Sequence, residues 1–251
     1  MSALDDDTEE VESHFLPHLP PPPASVLEVG AGDGRLAVRL SARGYTVKAI
    51  DVDEEAVASA LARGVDAASI DYFDMRGQFD VLLFTRSFHH LWPLERAVVQ
   101  AGKLLAPGGA ILFDEFAHEA CDLATAAWFY DVPALLDAAG VLAPEKRRHW
   151  HRPHHHDRGH AEEESKTPLE RWRERIAHDP PLHRGDSMLE ALGAAFALEA
   201  VERVPYLYRY LAERLDSAAL FTRVRAMEAD RIELGLLVPI GLRMVARGRQ
   251  D

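Results

Sequence analysis

Residues 26–34 read VLEVGAGDG, and the predicted architecture follows from this stretch. A short apolar strand enters a glycine-rich turn, and the turn opens a helix predicted over residues 33–43. Gly30, Gly32 and Gly34 remove side chains where a ligand must approach the backbone and where the turn needs unusual dihedral angles. Such loops bind nucleotides at the carboxyl edge of a parallel sheet. The stretch therefore predicts a nucleotide-binding α/β fold.

The sequence on both sides alternates short apolar strands with amphipathic helices. Helices are predicted over residues 54–63, with Asp53 as the N-cap, and from Pro93 onward. This rhythm indicates a parallel sheet covered by helices on both faces. A long helix divided by Pro133 is predicted after residue 116, and a helix over residues 209–231. The predicted strands cover residues 26–29, 46–50, 65–70, 79–85, 110–115, 198–208 and 237–247.

Composition divides the chain into four regions. Residues 1–23 form an acidic segment that ends in a proline-rich linker, and residues 24–116 form the nucleotide-binding core. Residues 117–195 form a helical and histidine-rich insertion, which we interpret as a lid. Residues 196–251 supply late strands and a helix that complete the core sheet.

The charge balance restricts the partners. The chain carries 28 basic and 41 acidic side chains, a formal charge of -13, which disfavours nucleic acid and anionic membrane surfaces. The single cysteine, Cys121, allows no intrachain disulfide, and the acidic N-terminus is unlike a signal peptide. No apolar run approaches the roughly 20 residues of a membrane span. We therefore expect a cytoplasmic protein, and the sequence leaves its oligomeric state open.

Carboxylates around the glycine loop indicate the charge of the ligand. The loop has the spacing G-x-G-x-G, with Asp33 between the second and third glycines and Glu28 in the preceding strand. The dinucleotide motif is G-x-G-x-x-G, and its helix N-terminus faces a pyrophosphate. Carboxylates at positions 28 and 33 suit a cationic ligand better than they suit a pyrophosphate. Asp51, 21 residues after Gly30, can accept both hydroxyls of an adenosine ribose.

Taken in order, these motifs resemble those of class I S-adenosylmethionine (SAM)-dependent methyltransferases. The resemblance covers residues 24–116 and is specific as an ordered set. It implies a mostly parallel seven-stranded sheet in which the last strand is antiparallel, and SAM as the cofactor. The motifs are residues 28–34, Ile50-Asp51, Phe79-Asp80 leading a strand that ends in FHHL at residues 88–91, and LLAPGG at residues 104–109.

The resemblance also implies which residues bind the cofactor. Asp51 holds the ribose, and Asp71 contacts the adenine amine. Asp74, only three residues further on, is the alternative to Asp71. Tyr72 or Val52 packs against the adenine ring. Arg86 is also predicted to bind the cofactor. Alternatively, it binds a carboxylate of the substrate or forms an ion pair with a neighbouring acid. The methionine part is surrounded by Glu28, Gly30, Ala31, Gly32 and Gly34.

Methyl transfer needs few protein groups, because SAM supplies an activated methyl. The enzyme orients the acceptor in line with that methyl, and it needs a general base only if the acceptor keeps its proton until attack. Candidate catalytic residues follow strands 4 and 5: His90, His89 and Glu115. One histidine of the pair can instead cap or pack against the next helix.

The histidine-rich stretch and the function each allow more than one interpretation. Residues 149–160 hold six histidines, which we interpret as a solvated loop rather than a zinc or nickel site, and we assign no metal. The predicted function is methyl transfer to the oxygen, nitrogen or carbon of a small molecule. The alternatives are an NAD(P)-dependent oxidoreductase and a non-catalytic protein that binds SAM or S-adenosylhomocysteine (SAH).

Overall fold

The computed structural model describes residues 2–143 and 166–249. Within these ranges seven strands form one sheet in the order β3-β2-β1-β4-β5-β7-β6. The β1–β2, β1–β4, β2–β3 and β4–β5 pairs are parallel, and β7 pairs antiparallel with β5. The predicted mostly parallel sheet with an antiparallel last strand is confirmed. The strands are β1 Ser25–Val29, β2 Thr46–Asp51, β3 Asp66–Ser69, β4 Phe79–Thr85, β5 Leu105–Phe116, β6 Phe196–Val204 and β7 Gly241–Gly248.

Several helices begin where a side chain accepts hydrogen bonds from their free backbone amides. The Asp53 side chain accepts hydrogen bonds from the amides of Glu55 and Ala56, which confirms the predicted N-cap. Thr167 and Glu170 form a capping box at a helix that we did not predict. The helices are α1 Ala3–Phe15, α2 Arg35–Ala42, α3 Glu54–Ala62, α4 Leu94–Leu104, α5 Leu123–Ala138, α6 Pro168–Arg175, α7 Gly185–Ala195 and α8 Ala218–Glu233. Short 3₁₀ helices span Leu16–His18, Tyr72–Asp74, Phe88–His90, His118–Ala120 and Leu207–Leu211.

The structure of residues 198–231 differs from the prediction. The strand expected to reach residue 208 ends at Val204, and the helix expected from residue 209 begins at Ala218. The cause is Glu228, whose buried carboxylate accepts hydrogen bonds from three successive amides, those of Tyr206, Leu207 and Tyr208, at 2.8, 3.0 and 2.8 Å. These bonds draw the backbone out of the sheet into a 3₁₀ turn.

The chain divides into two compact units. The sheet unit comprises Thr8–Phe116, His183–Arg203 and Gly241–Asp251, and the helical unit comprises Met1–Asp7, Ala117–Leu182 and Val204–Ile240. Residues 183–195, which are predicted as part of the insertion, belong to the sheet unit, and Met188 and Leu192 of α7 are buried in the same core cluster as Leu104 of α4. Residues 204–240, which are predicted to complete the sheet, belong to the helical unit.

Alternation along β1 separates two apolar layers and determines where Glu28 lies. Leu27 and Val29 belong to one core cluster, whereas Val26 belongs to the other, together with residues of α2. Because successive side chains of a strand point to opposite faces, Glu28 shares the face of Val26 and lies on the α2 side. The position is buried, with 3% of Glu28 exposed.

Candidate cofactor and active site

The glycine loop connects β1 to α2 through three residues in the left-handed region. Gly30, Gly32 and Gly34 have φ values of 69°, 56° and 74°. Side-chain-bearing residues rarely adopt such angles, which explains the glycines in the sequence. The amides of Gly30 and Ala31 donate to the carbonyl of Ile50 at 2.9 and 3.1 Å. The loop is thereby fixed to the end of β2.

Two of the glycines are also required by close packing. A Cβ at Gly30 would lie 2.5 Å from the Cβ of Ser87, and one at Gly34 would lie 2.8 Å from the Cβ of Ala60. By contrast, no described atom lies within 4 Å of the corresponding position at Gly32. The middle of the loop thus faces open space in which a ligand can approach the backbone.

Asp51 ends β2 and contacts the glycine loop directly. Its Oδ2 accepts a hydrogen bond from the amide of Gly32 at 2.8 Å, and its Oδ1 accepts one from the amide of Asp53 at 3.0 Å. The residue is 9% exposed. These bonds hold an acceptor-only group at the loop, where each oxygen keeps a lone pair that a ribose hydroxyl can use.

Glu28 places a second carboxyl group beneath the loop. Burial raises its pKa to about 8, and the negative charges of Asp33 and Asp51 act in the same direction. Its Oε2 is buried without a hydrogen-bond partner among the described residues. A buried polar atom of this kind is costly unless a ligand satisfies it. A ligand that carries positive charge fits this site.

Asp33, in contrast, is already neutralised. Its Oδ2 lies 2.9 Å from Nε of Arg35 and 3.1 Å from an Nη of Arg63. Near neutral pH the negative charge at the loop therefore comes from Asp51, and Glu28 adds to it only when it loses its proton.

The residues predicted at the adenine ring lie in different environments. Val52 is 55% exposed and is available to a ring. Asp71 caps the 3₁₀ helix Tyr72–Asp74, where its Oδ1 accepts from the amide of Phe73 at 2.8 Å. Tyr72 is only 2% exposed; its hydroxyl donates to the carbonyl of Ala97 and its ring packs edge-on against Phe84. The geometry of Tyr72 corrects its assignment, because a ring buried in the core cannot stack on adenine.

The chain turns sharply at the end of β4. Arg86 has φ 58° and is the one side-chain-bearing residue in the described ranges with positive φ, and its amide donates to the carbonyl of Asp114 at 2.8 Å. Strained residues of this kind cluster at functional sites. The Ser87 hydroxyl, which the sequence did not single out, donates to the carbonyl of Val29 at 2.6 Å. The turn is thereby fastened against the glycine loop.

The predicted catalytic residues form one connected group. Glu115, on β5, is fully buried, and its Oε1 accepts hydrogen bonds from the amides of Ser87 and Phe88 at 2.9 and 2.6 Å. Its Oε2 lies 2.5 Å from Nδ1 of His89, which is 4% exposed. His90 is exposed, with its ring centroid 4.2 Å from that of His89. These contacts correct the expectation that Glu115 faces the pocket as a base, because both of its carboxylate oxygens already form hydrogen bonds within the protein.

His183 also belongs to this group, although no feature of the sequence indicated it. Its amide donates to the carbonyl of His89 at 2.9 Å, and its Nε2 lies 3.0 Å from the carbonyl oxygen of Leu91, 92 residues away in the chain. Its ring stacks on Trp92 with centroids 4.3 Å apart. Burial lowers the pKa of His183, and the contact of Nε2 with the Leu91 carbonyl, which only accepts, places a ring proton on Nε2.

Three further findings concern metals and membranes. Residues 149–160, the histidine-rich stretch, lie outside the described residues. Across residues 2–143 and 166–249 no group of three or more His, Cys, Asp or Glu side chains could hold a metal ion. The helices in these ranges are all too short or too polar to cross a membrane.

Parts of this sequence are similar to known proteins. A family model described as "Methyltransferase domain" matches residues 8–176. The ribosomal RNA small subunit methyltransferase C of Chromohalobacter salexigens is 37% identical over 123 residues, which cover 43% of this chain and 37% of that protein. The malonyl-[acyl-carrier protein] O-methyltransferase of Geobacter sulfurreducens is 33% identical over 104 residues, which cover 38% and 39% of the two chains. This chain thus spans well under half the length of both relatives.

A solved structure extends the likeness in fold to nearly the whole chain. The N-methyltransferase NodS of Bradyrhizobium japonicum, in complex with SAH, superposes with a TM-score of 0.53 and 15% identity, covering 96% of this chain and 87% of that one. Because the family model covers more than half of the sequence and the fold agrees, the chain belongs to the methyltransferase-domain family.

Proposed function

We propose that this protein transfers the methyl group of SAM to an oxygen, nitrogen or carbon nucleophile of a small molecule. The observation that carries the proposal is the buried carboxyl of Glu28 beneath an open glycine loop, with Asp51 beside it. SAM carries an ammonium and a sulfonium, and both suit a site with two carboxyl groups. The charge of Asp51 would instead repel a pyrophosphate, which argues against the NAD(P) alternative.

Specific residues would hold each part of the cofactor. The loop and Glu28 would surround the methionine part, Asp51 would accept the ribose hydroxyls, and Val52 and Asp71 would face the adenine. When bound, SAM supplies a methyl group on a good leaving group. The protein's contribution is orientation, since holding the acceptor in line is worth several kcal/mol or more.

A small molecule is the preferred acceptor because of charge. One relative is named as a ribosomal RNA methyltransferase and another as a methyltransferase of an acyl-carrier protein. RNA binding requires Lys and Arg patches that release counterions, whereas this chain has a formal charge of -13.

Calorimetry tests the cofactor. The purified protein should bind SAH in the micromolar range or tighter and should show no binding of NADH. Tight NADH binding without SAH binding would overturn the assignment.

A label-transfer experiment tests the acceptor. Protein, methyl-labelled SAM and a cell extract that contains intact ribosomes are incubated together, and the label is then followed into the small-molecule, protein and RNA fractions. We expect it in the small-molecule fraction. Label recovered in RNA alone would contradict the proposed acceptor class.

A further inference from the structure

We propose that His89 is the general base of the reaction, oriented by the buried carboxylate of Glu115, and that the acceptor accordingly presents an O–H or N–H group. This inference rests on the methyl transfer proposed above. It narrows the acceptor to nucleophiles that must lose a proton, and it excludes carboxylates, which are already ionised near neutral pH.

The bonding of Glu115 determines which nitrogen of His89 carries the proton. The amides of Ser87 and Phe88 can only donate, so Oε1 of Glu115 accepts twice. The other oxygen, Oε2, lies 2.5 Å from Nδ1 of His89, and because a carboxylate oxygen only accepts, the proton of this hydrogen bond lies on Nδ1. The second ring nitrogen, Nε2, is thereby left with its lone pair.

That lone pair is available for a proton. Nε2 of His89 has no hydrogen-bond partner within the part of the chain that the structure describes. The ring is held edge-on against Phe116, with centroids 4.9 Å apart, and it lies against His90. A carboxylate on Nδ1 holds the ring in place and stabilises the imidazolium that forms after proton transfer.

The backbone of His89 is fixed from two sides. Its carbonyl accepts from the amide of His183, and the preceding Ser87 contacts both Val29 and Gly30 of the glycine loop. His89 therefore lies two residues from a side chain that touches the proposed cofactor loop. In this arrangement Glu115 and His183 are positioning residues.

The chemical step balances without a further reactant. The acceptor proton moves to Nε2 of His89, and the acceptor lone pair forms the bond to the methyl carbon. The electron pair of the broken carbon–sulfur bond remains on sulfur. The products are the methylated acceptor, SAH and an imidazolium paired with Glu115, which returns its proton to solvent before the next turnover.

A general base must have a protonated Nδ1 and a free Nε2, but a purely structural histidine with the same contacts would have that tautomer too. The tautomer can therefore refute the proposed role, and turnover separates the two roles. The test is nitrogen NMR of the whole protein labelled in its histidine rings, with and without SAH, at pH 7–8. We expect the His89 resonance to show a protonated Nδ1 and an unprotonated Nε2. A protonated Nε2 facing an unprotonated Nδ1 would overturn the proposal, because that ring cannot accept the acceptor proton.

Turnover provides the second measurement. SAH release is followed with a panel of phenols, alcohols and amines, with benzoate as the carboxylate probe. We expect turnover with O–H or N–H acceptors, and we expect His89→Asn to lower kcat by about 10²- to 10⁴-fold with SAH affinity unchanged. Turnover with benzoate alone, or undiminished turnover in H89N, would also overturn the proposal.

A matched control and a separate readout complete the design. His18→Asn alters a histidine that precedes β1, at the opposite edge of the sheet from the glycine loop, and it should leave kcat unchanged. SAH calorimetry on the same samples separates the two hypotheses. Failure to bind SAH would refute the proposed function, whereas SAH binding with the wrong tautomer would refute only the role of His89.

Discussion

The amide of Gly32 donates a 2.8 Å hydrogen bond to Oδ2 of Asp51, and this bond joins the two sequence motifs that are predicted to bind the cofactor. The glycine is needed there because its φ of 56° disfavours a side chain. The carboxylate thus has two tasks. It accepts hydrogen bonds that shape the loop in the ligand-free protein, and we propose that it also accepts the ribose hydroxyls when the cofactor binds.

Asp51→Ala should weaken both functions. We expect the SAH dissociation constant to rise roughly 10- to 100-fold, because hydrogen bonds to a charged group contribute about 1.5–3 kcal/mol. The free energy of unfolding of the ligand-free protein should fall by about 1 kcal/mol, since two amides lose their acceptor. Calorimetry and urea unfolding measure the two effects. Asp66→Ala, which removes an exposed carboxylate paired with Lys48, is the control. Unchanged SAH affinity in D51A would show that Asp51 does not hold the ligand.

Glu28 makes stability depend on pH. Its pKa is about 8 in the folded protein, against the ordinary glutamate value of 4.5 that applies to the unfolded chain. Between these values the unfolded chain has lost a proton that the folded chain keeps, so the unfolded state is favoured progressively as the pH rises from about 4.5 to 8. Glu28→Gln removes this contribution, so the variant should gain stability relative to wild type as the pH rises across this window. Urea unfolding at pH 5, 6.5 and 8 measures the difference. A constant difference at all three values would contradict the raised pKa.

Cofactor binding should release a proton from Glu28. Near pH 7 the buried carboxyl is protonated in the ligand-free protein, and the positive charge of SAM or SAH lowers its pKa. Calorimetry of SAH binding in two buffers of different ionisation enthalpy should therefore give different apparent enthalpies. The difference should disappear in E28Q. Equal enthalpies in the wild-type protein would place the ligand's cationic group away from Glu28.

Two glycine variants separate crowding from backbone strain. Gly30→Ala and Gly32→Ala both place a side chain at positive φ, at 69° and 56°, but only the first would put a Cβ 2.5 Å from Ser87. We expect G30A to lose roughly 1–3 kcal/mol more stability than G32A, which is the usual cost of overpacking. Chemical denaturation of the pair provides the measurement, with G32A as the matched control. Equal losses would mean that the loop and the turn at Ser87 can move apart.

Tyr72→Phe distinguishes a core residue from a ligand residue. The variant removes one buried hydrogen bond, from the Tyr72 hydroxyl to the Ala97 carbonyl, and should cost about 1 kcal/mol of stability. SAH affinity should not change, because the ring is 2% exposed and packs against Phe84. A loss of SAH affinity in Y72F without a loss of stability would restore Tyr72 to the binding site.

The sequence by itself determined the features that depend on neighbours along the chain. The strand and helix order of residues 24–116, the glycine loop, the Asp53 cap and the acid ending β2 were all predicted, because each has a local pattern. The resemblance that these motifs establish also implied the antiparallel strand β7.

Only the tertiary structure decided the features that depend on contacts between distant segments. Tyr72 is buried because it contacts Ala97 and Phe84. The carboxylate of Glu115 is fully hydrogen-bonded because it contacts a turn 26–28 residues earlier in the chain. The ring of His183 is held by the carbonyl of Leu91, which is 92 residues away in the chain. Strand periodicity tells which face of a sheet a side chain occupies, but not whether its polar atoms meet a partner or a ligand. For that reason the sequence indicated Glu115 as a base, whereas the fold makes it the support of His89.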